Sequence, residues 1–418
     1  MKPTYHALLF LATGSLMGAG TWVDTSFVPP SLGFENPIAV YLPEGYDPQG
    51  STQYQVTIWL HGWGGHYLSG TQMLGEVHDS LTAAGDIEPS IFASPEGWCP
   101  PYNGSMWANS ELYGNYEDYV IQDVIAFIDT SYCTLGDGSR HIMGLSMGGS
   151  GALDLSLRHP GLFDRVVTSG AYPDMVVAMP YSTARIILEC PEPEPPYTYD
   201  WGNGTYTNSY FLYSGAYSPN LGAPDSVDFP LDPYAQLVDS VYAQFELHNP
   251  AHMVKVNPPE GLFIGLTWGL NDTFDGLSES NFAFADTLED LGLPHAVYTD
   301  SSGHQIPRAR MAQMLLLAMG SLGVEDEPRP SVPAILMSVS PNPVYATGEI
   351  GFSMDAPGEV ELIVFDIAGR PVLSMEPGFL PAGEHSLAFE TSGLPSGVYL
   401  IRLEARGSSA AASFLVLR

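Results

Sequence analysis

The segment Gly144-Leu145-Ser146-Met147-Gly148, followed by Gly149, sets one serine between glycines at G-x-S-x-G spacing. Ahead of it, His141-Ile142-Met143 reads as a short strand. Behind it, Ala152, Leu153, Leu155 and Leu157 read as one helical face that stops at Pro160. Strand, tight turn, then helix is the context in which a serine hydroxyl is held out of a sheet as a nucleophile. Glycines on both sides remove the side chains that would collide at such a bend. The helix N-terminus adds a positive dipole, and the amide of Met147 is placed to bond a developing oxyanion. The bland alternative is an ordinary strand-to-helix turn. The flanking elements and the partners below favour the chemical reading.

A serine hydroxyl alone is a poor nucleophile and needs a base, oriented in turn by an acid. With this elbow the chain order is serine, acid, histidine. The apolar strand Leu262–Trp268 runs into Gly269-Leu270-Asn271-Asp272, so Asp272 is the expected acid, with Asp275 in reserve. The competing role for Asp272 is to cap a turn, as asparagine-aspartate pairs do. The strand Ala296–Thr299 leads into Asp300-Ser301-Ser302-Gly303-His304, where an imidazole could swing over the serine; His304 is the expected base. A second oxyanion donor is expected after the strand Val56–Leu60, in His61-Gly62-Trp63-Gly64-Gly65, where glycines let backbone amides approach a ligand; the amide of Trp63 is the choice. The alternative is a glycine turn that packs Trp63 into the core. His248 and His252 stand at i, i+4, but Pro250 lies between them and no third ligand is apparent, so no metal site is read there.

These residues need an α/β frame. From about residue 21 to 323, short apolar runs alternate with helical patterns, which signals a mostly parallel sheet with helices on both faces. Val120, Ile121, Val124, Ile125 and Ile128 predict a helix over Asp118–Asp129, and Ile91–Ser94 predicts a strand. Between Pro180 and Pro259 the periodicity is lost among tyrosines, prolines and glycine turns. This stretch reads as an insertion over the sheet, a lid or substrate-binding cap in preference to decorative surface. Residues 324–331, VEDEPRPS, read as a linker. Residues 332–418 carry short alternating strands, such as Val360–Phe365 and Val398–Leu403, between turns rich in glycine and proline, the pattern of a small β-sandwich.

Composition sets the setting. The 418 residues hold 13 basic and 47 acidic side chains, a net charge of −34. Such a surface repels phosphate backbones and anionic lipid and makes a nucleic-acid partner untenable. At the start, Lys2, the apolar run Ala7–Met17 and the small residues Gly18, Ala19 and Gly20 read as a secretory signal over residues 1–20. Three cysteines, Cys99, Cys133 and Cys190, are too few for a disulfide scaffold; a Cys99–Cys133 bridge and free buried thiols both stand as readings.

The chain resembles the esterase family of α/β-hydrolases that includes feruloyl esterases, S-formylglutathione hydrolase and mycobacterial mycolyltransferases. The resemblance rests on Val40-Tyr41-Leu42-Pro43-Glu44-Gly45-Tyr46, the LHGWGG loop, Ser94-Pro95-Glu96-Gly97, Gly114-Asn115-Tyr116-Glu117-Asp118-Tyr119, GLSMGGSGAL and SSGHQ. It implies a triad of Ser146, Asp272 and His304 with no metal or organic cofactor. The tyrosine-rich stretch 180–259 departs from the family pattern, which leaves the acyl group and the acceptor open. The tail resembles the Ig-like C-terminal sorting modules of the type IX secretion system and the related fold of flagellar hook-capping proteins. Its carriers are Ser340-Pro341-Asn342-Pro343, Val364 to Arg370, Ala382-Gly383-Glu384-His385, Leu394 to Tyr399, and the final Phe414-Leu415-Val416-Leu417-Arg418. That resemblance implies the secretion machinery as a partner and a secreted or cell-surface location in a Gram-negative-type bacterium; the alternative is a plain accessory sandwich. The expected activity is serine carboxylic-ester hydrolysis through an acyl-enzyme. Export and the aromatic insertion point to an ester on a plant or algal polysaccharide. An acyltransferase on the same scaffold, a peptidase and a non-catalytic surface-displayed binding protein are the rivals. The oligomeric state stays open.

Overall fold

The computed structural model describes residues 19–136, 139–320, 337–340, 344–354, 357–366, 371–395, 397–405 and 408–416. Nearly all of the expected signal peptide and the whole expected linker lie outside these residues. The chain divides into two compact units, Met1–Glu327 and Pro328–Arg418.

The first unit is built on eight strands, the central ones buried along nearly their whole length, as a sheet covered by helices on both sides requires. Its early strands are β1 (Thr21–Phe27), β2 (Asn36–Leu42), β3 (Gln55–Leu60) and β4 (Ser90–Pro95), with helix α1 (Thr71–Ala84) between β3 and β4. A two-residue hairpin, β5 (Asn109–Ser110) with β6 (Gly114–Asn115), precedes a run of three helical pieces. These are α2 (Tyr116–Asp118), a π-helical stretch (Tyr119–Val124) and α3 (Ile125–Ser131). The helix expected from the spacing of Val120, Val124 and Ile128 is therefore present, with a widened turn inside it. Then follow β7 (Arg140–Leu145), α4 (Met147–Arg158) and β8 (Arg165–Ser169). Four helices come next: α5 (Met175–Glu189), α6 (Thr205–Tyr217), α7 (Asp239–Glu246) and α8 (Pro250–Val256). The unit ends with β9 (Phe263–Gly269), α9 (Leu277–Asp290), β10 (His295–Asp300) and α10 (Arg308–Ala318).

The sheet order is β1-β2-β4-β3-β7-β8-β9-β10. β1 pairs antiparallel with β2 and β2 with β4, while every pairing from β4 through β10 is parallel. Alternation along each strand divides the core. Ile58, Leu60, Ile142, Val166 and Ile264 face one buried layer with Ala152, Leu155, Phe127 and Phe284. Trp59, Met143, Val167 and Phe263 face the other with Leu74, Val77, Met311 and Leu315. The parallel strands thus all point their C-terminal ends one way, the edge where ligands bind in open α/β sheets.

The stretch 180–259, read from the sequence as an insertion without periodicity, carries the end of α5 and the whole of α6, α7 and α8. Helix α5 starts before it, N-capped by the Asp174 carboxylate, which accepts the amides of Val176 and Val177. Pro180 sits inside this helix, where it deletes one backbone donor instead of ending the element. Helix α6 begins where the Glu189 carboxylate, at the end of α5, accepts the amides of Tyr206 (2.9 Å) and Thr207 (2.7 Å). A carboxylate at a helix N-terminus is favourable on both hydrogen-bonding and dipole grounds. Met179, Ile186, Tyr206, Tyr210 and Leu231 form a small core of the insertion's own.

The second unit is a sandwich. A three-stranded sheet, β11 (Met337–Ser340), β12 (Thr347–Met354) and β15 (Gly383–Glu390), is ordered β11-β12-β15. The four-stranded sheet is ordered β14-β13-β16-β17, from β13 (Gly358–Asp366), β14 (Pro371–Leu380), β16 (Gly397–Ala405) and β17 (Ser408–Val416). Ile350, Phe352, Leu362, Val364, Ile401, Leu403 and Phe414 make a core separate from that of the first unit. All three cysteines are free thiols, Cys99 buried and the other two partly so. The first of the two cysteine readings, a Cys99–Cys133 bridge, is therefore set aside.

Candidate active site

Ser146 sits between β7 and α4 with φ 56° and ψ −118°, a backbone conformation that a non-glycine residue holds only when its surroundings impose it. The surroundings are backbone. A Cβ at Gly144 would lie 2.2 Å from the Gly148 carbonyl oxygen, and one at Gly148 would lie 2.0 Å from the Leu60 carbonyl oxygen. Only glycine fits at either place, so β7, α4 and the end of β3 close on one another around the serine. The Ser146 amide is tied to the Ser169 carbonyl at 2.8 Å, which fixes the bend to β8. Met147 is the first residue of α4, and its amide has no acceptor one turn earlier in the helix.

The loop after β3 approaches the same point: a Cβ at Gly62 would be 3.4 Å from Cβ of Ser146. Trp63 is held by its indole, which donates to the Tyr102 carbonyl at 2.8 Å. Its neighbours are held by their backbones: Gly64 donates to the Asn103 carbonyl (3.1 Å) and Gly65 to the Gly62 carbonyl (3.0 Å). Trp63 is partly buried, packs against the main apolar cluster and also lines the cleft beside Ser146.

Asp272 follows β9 and His304 follows β10, and their side chains meet: His304 Nδ1 lies 2.7 Å from Asp272 Oδ2. The carboxylate is buried and its other oxygen accepts the Phe274 amide at 3.0 Å, so it holds the turn and the imidazole together. Both oxygens being engaged, Nδ1 carries the proton and Nε2 is left as the basic nitrogen. Phe274 packs its ring on the imidazole, centroids 4.6 Å apart. Gly170, at φ +60° after β8, passes so close that a Cβ there would be 3.1 Å from His304 Cε1. Asp275, the reserve acid, pairs instead with Arg185.

Ser146, Met147, Trp63 and His304 line one cleft, together with Met106, Tyr172, Met175, Ala178, Ser182, Tyr206, Ser209, Tyr210, Leu212, Tyr213 and Phe274. It holds about 650 Å³ of space, solvent included. Helices α5 and α6 supply most of the wall. His248 and His252 do not meet: His248 Nδ1 lies 2.9 Å from buried Asp154, and His252 lies 3.4 Å from Glu246.

Two supports escaped the sequence reading. The guanidinium of Arg310, on α10, is fully buried and donates to both oxygens of Asp300, Nε at 2.9 Å and Nη2 at 2.7 Å, and also to the Ser302 hydroxyl and, at 3.4 Å, to the Gly303 carbonyl. It grips the loop that ends at His304. Partial burial pushes the Asp300 carboxyl upward, but hydrogen bonds from Arg310 and Ser302 outweigh this and hold it down at about 2. The second support is Glu96 with His61. His61 Nδ1 donates to the Gly62 carbonyl at 2.9 Å, and its Nε2 accepts the Gly97 amide at 2.9 Å with Glu96 3.2 Å away. Glu96 also accepts the Trp98 amide at 2.7 Å. Burial works against its charge, but His61 beside it and the Trp98 amide prevail and keep its carboxyl below the ordinary range. Arg310 stands two residues after Arg308, and Glu96 stands in a Ser-Pro-Glu-Gly segment, so the sequence carried no signal that either charge is buried.

Comparison with known proteins agrees with this architecture. Residues 30–185 match the esterase family model, described as "Putative esterase", and residues 338–417 match the model of the secretion system C-terminal sorting domain. Among curated proteins, the chain is 29% identical over 186 residues to an endo-1,4-beta-xylanase/feruloyl esterase of Xylanibacter ruminicola, covering 42% of this chain and 25% of that protein. It is 24% identical over 157 residues to an uncharacterized protein, YjcH, of Bacillus subtilis, covering 37% and 63%. This chain thus spans a quarter of the first relative and under two thirds of the second. Among solved structures, a ferulic acid esterase superposes with TM-score 0.51 at 19% identity, over 73% of this chain and 99% of that one. An S-formylglutathione hydrolase from Agrobacterium tumefaciens gives 0.51 at 15%, over 74% and 98%. At these identities the likeness concerns the fold. The sorting domain marks the chain for secretion or display at the cell surface of a Gram-negative-type bacterium. The first unit is an α/β-hydrolase domain of the esterase kind, and the second is a secretion system C-terminal sorting domain.

Proposed function

We propose that the protein is a serine carboxylic-ester hydrolase that works through an acyl-enzyme. His304 Nε2 takes the proton as Ser146 Oγ attacks the ester carbonyl. Asp272 holds the imidazole tautomer and stabilises the imidazolium that forms. The amides of Met147 and Trp63 receive the oxyanion, each worth on the order of a hundredfold in rate. His304 then returns the proton to the leaving alcohol, and water, activated the same way, releases the acid. The observation that carries this reading is the single cleft lined by Ser146 and His304, with the imidazole already bonded to buried Asp272.

The substrate we propose is an acyl ester on a polysaccharide. Three things support it: the export signal, the net charge that disfavours anionic partners, and the partial likeness to a protein named for xylanase and feruloyl esterase activities. The test is a panel of acetyl, butyryl and feruloyl esters, free and sugar-linked, with Ser146→Ala as control. Turnover by the wild type and a rate near background in Ser146→Ala are expected; equal rates in the two would end the reading. Release of free acid, against transfer of the acyl group to an added sugar, separates hydrolase from transferase.

A further inference from the structure

We propose that Arg185 and Asp275 form a latch through which the inserted helices position the Asp272–His304 pair. The proposal rests on the roles given to those two residues above. The turn 272–276 is gripped from two sides. On one side Asp272 bonds His304, its Oδ1 accepts the Phe274 amide at 3.0 Å, and the Phe274 ring lies 4.6 Å from the imidazole. On the other side stand groups of the insertion and its approach. Arg185 on α5 donates from Nε to Asp275 Oδ2. Tyr206 on α6 accepts the Asp275 amide on its hydroxyl at 2.6 Å, and Tyr172 donates its hydroxyl to the Asp275 carbonyl at 3.0 Å. The turn ends at Gly276 with φ +78°, where a Cβ would come within 2.9 Å of the Tyr181 ring on α5.

The backbone of Asp275 is thus bonded twice and its carboxylate once, all to residues outside β9 and its turn. The same two helices give Ala178, Ser182, Tyr206, Ser209 and Tyr213 to the cleft wall. Wall and acid turn therefore move as one body. Arg185 and Asp275 are each partly exposed, so their ion pair adds little to folding stability. Its leverage is geometric: a carboxylate displaced by a fraction of an ångström leaves the imidazole free to rotate away from the serine, and near-attack geometry is what such a displacement spoils. Arg185 is on this account a positioning residue. It touches neither Ser146 nor His304.

The experiment measures kcat and KM on p-nitrophenyl acetate, normalised to sites titrated by a fluorophosphonate, for Arg185→Gln, Arg185→Lys, Asp275→Asn and the double variant Arg185→Gln/Asp275→Asn. Arg185→Gln is expected to lower kcat about three- to tenfold with KM within about twofold, and Arg185→Lys to recover most of the loss. The double variant should be no slower than the slower single one, because the two changes remove one interaction. Thermal midpoints should stay together, and if Arg185→Gln falls below the others, Asp275→Asn, which keeps its shape, is the variant that decides. Wild-type kcat in Arg185→Gln and Asp275→Asn, or losses that multiply in the double variant, would overturn the latch. His304→Ala separates the two layers of argument. Full turnover in His304→Ala removes the acid–base assignment itself, whereas a dead His304→Ala beside a silent Arg185→Gln removes only the latch.

Discussion

Gly148→Ala is the sharpest probe of the elbow. The added methyl would sit 2.0 Å from the Leu60 carbonyl oxygen, 2.5 Å from its carbon and 2.7 Å from the His61 carbonyl oxygen. All three are backbone atoms, so no side chain can rotate to make room. An ordinary contact between such atoms is roughly 3.4 Å, so helix α4 and the end of β3 must separate by about 1 Å or more. Forced overpacking of this kind costs about 1–3 kcal/mol. In a unit of this size that is a fall of about 2–10 °C in thermal midpoint. The effect on rate should be larger than the effect on stability. The displaced atoms carry Ser146 and Met147 on one side and the loop to Trp63 on the other, and an error of about 1 Å in such a constellation costs about a hundredfold. The assay is the initial rate on p-nitrophenyl acetate per folded molecule, with Gly393→Ala, whose added methyl meets nothing within 4 Å, as the control. Wild-type kcat in Gly148→Ala would refute the claim that backbone closure holds the serine in place.

Asp300→Asn should be among the most damaging single changes outside the cleft. It leaves the fully buried Arg310 guanidinium without its carboxylate, a loss of about 3–5 kcal/mol by denaturant titration, and it frees the His304 loop, so kcat should fall in whatever protein remains folded. The depressed Asp300 carboxyl adds stability that is complete above its unfolded value near 4 and is lost as pH falls toward 2. Buried His78 and His141 act earlier. Burial holds His78 down at about 4; burial, then nearby Arg165, holds His141 at about 3. Both are neutral in the folded chain where the unfolded chain takes up protons. Stability measured by urea titration should therefore decline from about pH 6.5 downward, with a slope approaching about 2.7 kcal/mol per pH unit while both contribute. A flat profile between pH 6.5 and 4.5 would contradict that assignment.

The elbow was legible in the sequence because its constraint is local: glycines at 144 and 148 and the elements beside them lie within twenty residues. The parallel strands were legible because burial on both faces leaves continuous apolar runs such as Val56–Leu60. The inserted helices were not, and α6 shows why. Tyr206, Thr207, Tyr210, Phe211, Leu212, Ser214 and Tyr217 are buried on almost every side of it, so no apolar stripe alternates with a polar one. In α5, Pro180 imitates a boundary that tertiary packing overrides. Arg310 and Glu96 carry charges that read as surface, and only their folded partners, Asp300, Ser302 and Ser169 for the one and His61 and the Trp98 amide for the other, explain their burial.

The free thiols meet a hazard of export, since secreted chains pass through compartments where thiols are oxidised. Exchange and oxidation need the thiolate. Burial raises the Cys99 sulfur to about 12, and burial together with Glu192 and Glu189 raises Cys190 to about 11. At any ordinary pH both keep their hydrogen in the folded chain, so once folded these two sulfurs stand in an oxidising space as chemical bystanders.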